Sequence, residues 1–117
     1  MSGTVDHILD LLRPWGVVGA KRVFGGHGLY RGGVMFGIVA DDQLFLKVDE
    51  RNAEDYDREN LGPFRYTRGG RTVALSYRAA PDRLLDSGEA LQEWARKAWE
   101  AALRAASRER RLRHRER

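Results

Sequence analysis

Two glycine doublets, each next to runs of strand-forming residues, constrain the fold of this chain more than any other feature. Gly32-Gly33 stands directly before the apolar run Val34–Ala40. Gly69-Gly70 lies between Phe64–Thr67 and Arg71–Arg78, where apolar and polar residues alternate. Two-residue hairpin turns need positive φ at their central positions, which glycine adopts without steric cost. The doublets therefore predict two antiparallel hairpins.

The first half of the chain carries further strand signals. Ala20–Phe24 and Gly28–Arg31 look extended, and Asp41-Asp42 supplies another turn before the alternating run Leu44–Val48. We interpret the whole glycine-punctuated stretch from Val17 to Val48, including the apolar run Val34–Ala40, as a three-stranded antiparallel meander. Together with the second hairpin, this meander makes a five-stranded sheet.

Three segments have the spacing of helices. Apolar residues recur at helical intervals in residues 5–12, the polar run 49–60 fits a short exposed helix, and a long helix follows a cap at Asp86 or Ser87. The predicted fold class is α+β, with helices packed on an antiparallel sheet in two layers and the order α-β-β-β-α-β-β-α. We expect one domain over residues 1–106 and an arginine-rich C-terminal tail over 107–117.

The positive charge is concentrated at the C-terminal end. The chain has a net charge of +4, but residues 104–117 alone carry +5 and the remainder carries −1. Arginine binds phosphate well, so this end is a candidate for weak, non-specific nucleic-acid contacts through a helix extension or a disordered tail. Its arginines are Arg104, Arg108, Arg110, Arg111, Arg113, Arg115 and Arg117.

Several classes of protein and site are disfavoured. The chain has no cysteine, which excludes disulfides and cysteine-ligated zinc. It has neither a signal-peptide pattern nor the about 18 apolar residues of a membrane span, so we expect a cytoplasmic protein without membrane contact. No catalytic, metal-binding or cofactor-binding set can be assembled. The glycines near His27 precede a strand and lack the Gly-Lys-Ser/Thr of a phosphate loop.

The long helix has a broad apolar arc. Trp94 and Trp99 point about 140° apart, so both cannot face one core. We expect Trp94 in the core. Trp99 and Leu103 form either a flank packed under the sheet edge or the first helix, or a surface for a partner or a second copy, which leaves monomer and homodimer open.

The segment Lys21–Glu50 resembles the N-terminal domain of the TfoX/Sxy family of competence regulators. The similarity extends over roughly residues 5–105, through Pro63–Tyr66 and the helix containing Trp94. The motif residues that carry it are Phe24, Gly25, Gly26, Gly28, Tyr30, Gly33, Met35 and Phe36.

The resemblance implies a two-layer α+β fold and a non-enzymatic role in bacterial transcription regulation. It also implies a protein partner, with the cyclic-AMP receptor protein and RNA polymerase as candidates, and a stand-alone copy of the family's N-terminal domain. Two alternatives are a nucleic-acid-associated accessory protein that holds phosphates through its arginines, and a small enzyme or ligand-binding domain.

Overall fold

A computed structural model describes residues 3–115, apart from the side chain of Val73. The helices are α1 (Gly3–Leu12), α2 (Ala53–Asp57) and α3 (Gly88–Arg115), and a 3-10 turn at Asp82–Asp86 precedes α3. The strands are β1 (Gly19–Val23), β2 (Gly26–Arg31), β3 (Val34–Ala40), β4 (Gln43–Lys47), β5 (Pro63–Arg68) and β6 (Arg71–Ala79).

Over the described residues the strands form one antiparallel sheet in the order β1-β2-β3-β4-β6-β5. The α+β class is confirmed, but the predicted count of five strands is wrong, because the meander has four strands rather than three. The added turn is Phe24-Gly25, with φ of 50° and 75°, which joins Val23 directly to Gly26. A bulky residue rarely adopts positive φ, so nothing at Phe24 itself predicts that it belongs to a turn.

The other hairpin turns are where the sequence placed them. Gly32 and Gly33 have φ of 57° and 77°, and Gly69 and Gly70 have φ of 59° and 76°. Asp41 and Asp42 also have positive φ, which aspartate tolerates better than most residues. Each of these turns has two residues, and the strands that follow return alongside those that precede them.

The main core lies between one face of the sheet and the helices α1 and α3. The helices contribute Val5, Ile8, Leu12, Leu91 and a line of buried alanines that lets α3 lie close to the sheet. The sheet contributes residues from its three central meander strands, which are Leu29, Phe36, Val39, Leu44 and Leu46.

The opposite face of the sheet carries a second, aromatic cluster around Ile38, Phe64 and Tyr77. Phe24 lies at the turn beside the edge strand β1, yet its ring packs against Phe64 and Tyr66 on the other edge strand, β5. The sheet is therefore strongly curled, and the β5–β6 hairpin covers the face that the helices leave open.

Helix α3 begins after Ser87. The Ser87 Oγ accepts the Ala90 N–H at 3.4 Å, so Ser87 rather than Asp86 caps the helix. The helix continues for 28 residues to Arg115, so the predicted boundary between residues 106 and 107 falls inside it. Arg117 lies outside the described residues. Between residues 3 and 115 there is no helix long and apolar enough to cross a bilayer.

Candidate functional site

Of the motif glycines, Gly26 and Gly28 are packing positions in β2, whereas Gly25 and Gly33 are turn residues with positive φ. A Cβ at Gly26 would lie 2.1 Å from the carbonyl oxygen of Val39, and one at Gly28 would lie 2.7 Å from Met35 Sδ. Strand β2 follows this turn, so no helix N-terminus is present to hold a phosphate. The glycine cluster allows β2 and β3 to approach closely.

The remaining motif residues also lie in the sheet. Phe36 is fully buried where the pairing of β2 with β3 shifts register, and its ring meets Trp15 edge-on at 5.4 Å. The carbonyl of Met35 accepts a hydrogen bond from the Tyr77 hydroxyl at 3.2 Å. Tyr30 lies beneath the ammonium of Lys21 on the neighbouring strand. These motif residues therefore hold the sheet together through packing and hydrogen bonding.

Trp99 is half-buried, and its ring stands edge-on to that of Trp15, with centroids 6.0 Å apart. Arg31 contacts both rings from one side, and we call these three residues the Trp15–Arg31–Trp99 sandwich. The guanidinium carbon of Arg31 lies 4.3 Å from the ring centroids of both Trp15 and Trp99. The indole N–H of Trp99 also donates to the Arg31 carbonyl at 3.0 Å. Trp99 thus attaches α3 to the end of β2, as expected for a packing flank.

A small apolar surface surrounds this sandwich. Val17, in the loop after α1, is 92% exposed, and Leu103 lies one helical turn beyond Trp99 and is half-buried. We call Trp15, Val17, Trp99 and Leu103 the Val17 patch. It combines exposed apolar groups with aromatic rings that are held rigidly by Arg31.

Asp49 organises the loop that follows β4. Its carboxylate accepts two hydrogen bonds from Arg104, at 2.7 and 3.0 Å, and a third from the Arg51 N–H. The hydrogen bonds from Arg104 hold the pKa of Asp49 below its ordinary value. Asn52, which is buried, bridges the Asp49 N–H and the Lys47 carbonyl. Arg104 therefore braces α3 against the sheet and is not a free cation.

The remaining described arginines of the predicted tail are exposed. At about 100° per residue, Arg108, Arg111 and Arg115 follow Arg104 along one side of α3, whereas Arg110 and Arg113 point elsewhere. We call Arg108, Arg111 and Arg115 the arginine stripe. The sequence revealed the density of arginines, but their alignment depends on the helix continuing to its observed end.

A groove of ≈ 270 Å³ separates this part of α3 from the sheet. Ser76 of β6 and Lys47 of β4 line one side, and Arg108 and Leu112 line the other. The Lys47 ammonium donates to the Ser76 hydroxyl, and burial lowers the pKa of Lys47. Glu50 and Glu109 also line the groove, so its floor is close to neutral.

The β5–β6 hairpin brings further arginines to this end, which sequence reasoning missed. Phe64 and Tyr66 face the aromatic cluster, so Arg65 between them faces the side on which Ser76 meets α3. Arg68 and Arg71 pair across the turn at the hairpin tip. The signal was present in the sequence, since residues 63–78 contain four arginines and no acidic residue.

The histidines and carboxylates do not converge. His7 donates through Nε2 to the Leu85 carbonyl at 2.7 Å, which ties α1 to the 3-10 turn. Within residues 3–115, no group of three or more histidine and carboxylate side chains is arranged to hold a metal ion.

Comparison with known proteins gives one result for the family. A family model described as the TfoX N-terminal domain matches residues 10–102, which include the whole sheet, α2 and about the first half of α3. No match was found among curated proteins.

Proposed function

The chain belongs to the TfoX N-terminal domain family, and from that membership we propose that it is a non-enzymatic bacterial regulatory module acting through protein contacts. The observation that carries the proposal is the match over residues 10–102, which takes in the hairpin motif and the Trp15–Arg31–Trp99 sandwich. The motif residues are used in packing, so the functional surface lies outside them.

The Val17 patch is the surface that we assign to the partner. Interface hot spots are enriched in tryptophan and arginine, and they sit among apolar contacts that exclude water. Here Arg31 holds two tryptophans in a fixed arrangement beside the exposed side chain of Val17. A pre-organised surface of this kind loses little conformational entropy on binding.

The proposed partner is a component of the bacterial transcription machinery, either the cyclic-AMP receptor protein or RNA polymerase. Both act in the cytoplasm, which is where we place this protein. The module would alter transcription by bridging or repositioning these proteins, with no chemical step of its own.

A binding experiment with purified proteins tests the proposal. The chain is immobilised, and the cyclic-AMP receptor protein and RNA polymerase of the source bacterium are passed over it separately. Val17→Asp should weaken capture about tenfold or more, because it buries an unpaired charge in an apolar interface. Leu112→Asp is the matched control, because Leu112 is the other exposed large hydrophobic residue described, at 57%, and lies far along α3.

Three outcomes would contradict this assignment. Capture of neither protein rejects the proposed partners, and equal effects of the two substitutions reject the patch. A wild-type dimer that Val17→Asp dissociates would assign the patch to self-association instead.

A further inference from the structure

Charge is separated along the length of the molecule. The arginine stripe and the β5–β6 hairpin lie at the C-terminal end of α3, whose 28 residues span about 42 Å at 1.5 Å per residue. The N-terminal end of α3 lies beside α1 and the 3-10 turn, and contacts from Thr4 to Asp42 and from His7 to Leu85 hold this end together. Its exposed acidic residues are Asp6, Asp41, Asp42, Asp82, Asp86 and Glu89. The exposed Arg83 in the 3-10 turn is paired with Glu59.

The charges at the basic end are not neutralised by neighbours. No ion pair joins Arg65, Arg108 or Arg111 to any other residue in the described part of the chain. All three side chains are exposed. Arg108 lines the groove, Arg111 follows it along α3, and Arg65 lies on the face of β5 that corresponds to that of Ser76 on β6. We call these three arginines the rim, which is positive, whereas the charges in the groove nearly balance. The rim can therefore contact an extended anion that lies across it.

The chemistry of the rim selects a phosphate backbone over an unpaired base. Every cation on it is an arginine, whose planar fork matches phosphate oxygens. Bases of single strands are normally held by stacking on aromatic rings. Residues 100–117 contain no Phe, Tyr or Trp, and Phe64 and Tyr66 face into the aromatic cluster instead.

We propose that the arginine stripe and Arg65 form a bipartite site for the phosphate backbone of duplex DNA. Binding is independent of sequence, because contacts between arginine and phosphate carry no base code. The acidic opposite end turns away from the DNA and orients the molecule as it approaches. The site is separate from the Val17 patch, so it does not depend on the proposed protein partner.

The test is a salt titration followed by fluorescence anisotropy, with two labelled duplexes of equal length and unrelated sequence. Four arginine contacts predict a slope of log affinity against log salt of about −3.6, the same for both duplexes. Arg108→Gln with Arg111→Gln should reduce the slope by about 1.8 and the affinity roughly 60-fold at about 0.1 M salt. Arg65→Gln should reduce the slope by about 0.9 and the affinity about eightfold.

Two matched controls make the test specific to this site. Arg110→Gln with Arg113→Gln removes two charges from the other side of the same helix, and Arg68→Gln removes one from the opposite face of the same strand. Both should leave the slope unchanged. All of these side chains are exposed, and circular dichroism with thermal unfolding checks that each variant folds.

Several results would overturn the proposal. One is the absence of duplex binding at low salt. Another is an equal loss of affinity in the variants of the arginine stripe and in the control variants. Tighter binding of the single strand, or of an RNA duplex, would assign the surface to a different nucleic acid. Tighter binding of a polyglutamate peptide would assign it to an acidic protein.

Discussion

The ring of Phe24 packs edge-on against the ring of Tyr66, with centroids 5.3 Å apart, although the two residues belong to opposite edges of the sheet. Phe24 makes this contact from a turn with φ of 50°, a conformation that costs roughly 1–2 kcal/mol for a residue with a Cβ. The ring contact opposes this cost and holds the sheet in its curled form.

Substitutions at Phe24 separate the stabilising ring contact from the cost of the positive φ. Phe24→Ala and Phe24→Gly both remove the ring, but only glycine relieves the positive φ, so the alanine variant should unfold about 1 kcal/mol more easily. Urea unfolding measures the difference. Phe45, in the extended strand β4, is the control, and there the glycine variant should be the less stable of the two. If alanine were the less stable variant at both positions, the role of the turn would be contradicted.

Gly26 is the glycine for which a side chain leaves no space. Gly26→Ala places a methyl group 2.1 Å from the Val39 carbonyl oxygen, a backbone atom that cannot rotate away. We expect a loss of about 1–3 kcal/mol in the free energy of unfolding, as in other overpacked cores. Gly19→Ala in β1, where nothing lies within 4 Å, is the control and should be nearly neutral. A neutral Gly26→Ala would show that the two strands separate easily.

The stacked guanidinium of Arg31 should not be replaceable by an ammonium. Arg31→Lys keeps the charge but loses the planar group that contacts both Trp15 and Trp99, and we expect a loss of about 1 kcal/mol. Chemical unfolding monitored by tryptophan fluorescence provides the measurement. Arg22→Lys, at an exposed position on the neighbouring strand, should change little. Equal effects at the two positions would argue against the sandwich as a stabilising contact.

The Asp49–Arg104 pair predicts a dependence of stability on pH. Arg104 lowers the pKa of folded Asp49 below the unfolded value of about 3.9. Its stabilising effect is therefore complete above about pH 5 and is lost as pH falls through the folded pKa. Asp49→Asn should cost about 1–3 kcal/mol near neutral pH, and this difference should shrink in acid. Urea midpoints at several pH values measure it.

Asp10→Asn is the control for this pair. Asp10 and Arg13 form an ion pair with side chains that are 66% and 80% exposed, so its loss should cost less than about 1 kcal/mol. A pH-independent effect of Asp49→Asn would mean that the contact stabilises the fold without its charge.

The hydroxyl of Tyr56 is buried without a hydrogen-bond partner in the described structure, and burial raises the pKa of this tyrosine. Tyr56→Phe removes an unsatisfied polar group and keeps the ring contact with Trp94, so stability should stay constant or rise by about 1 kcal/mol. Tyr77→Phe removes a hydroxyl that donates to Met35, and it should lose about 1 kcal/mol. Thermal unfolding compares the two variants. A loss at Tyr56 equal to that at Tyr77 would reveal an unrecognised partner.

The sequence by itself determined the local elements. The turns at Gly32-Gly33, Asp41-Asp42 and Gly69-Gly70, the first helix and the start of α3 were predictable, because a turn or a helix cap depends on the conformational preferences of a few adjacent residues. The family resemblance followed from the same local motifs. The strand count failed at Phe24, because its positive φ is maintained by rings on a strand distant in sequence.

Tertiary structure alone decided which of these elements meet. Asp49 and Arg104 are 55 residues apart in the chain, and no local preference indicates that they pair. Arg65 lies on the same side of the sheet as Ser76 only because β5 pairs with β6 and β6 pairs with β4. Such contacts arise when the apolar faces of distant elements are buried together, and the free energy of that burial belongs to the whole fold rather than to any segment.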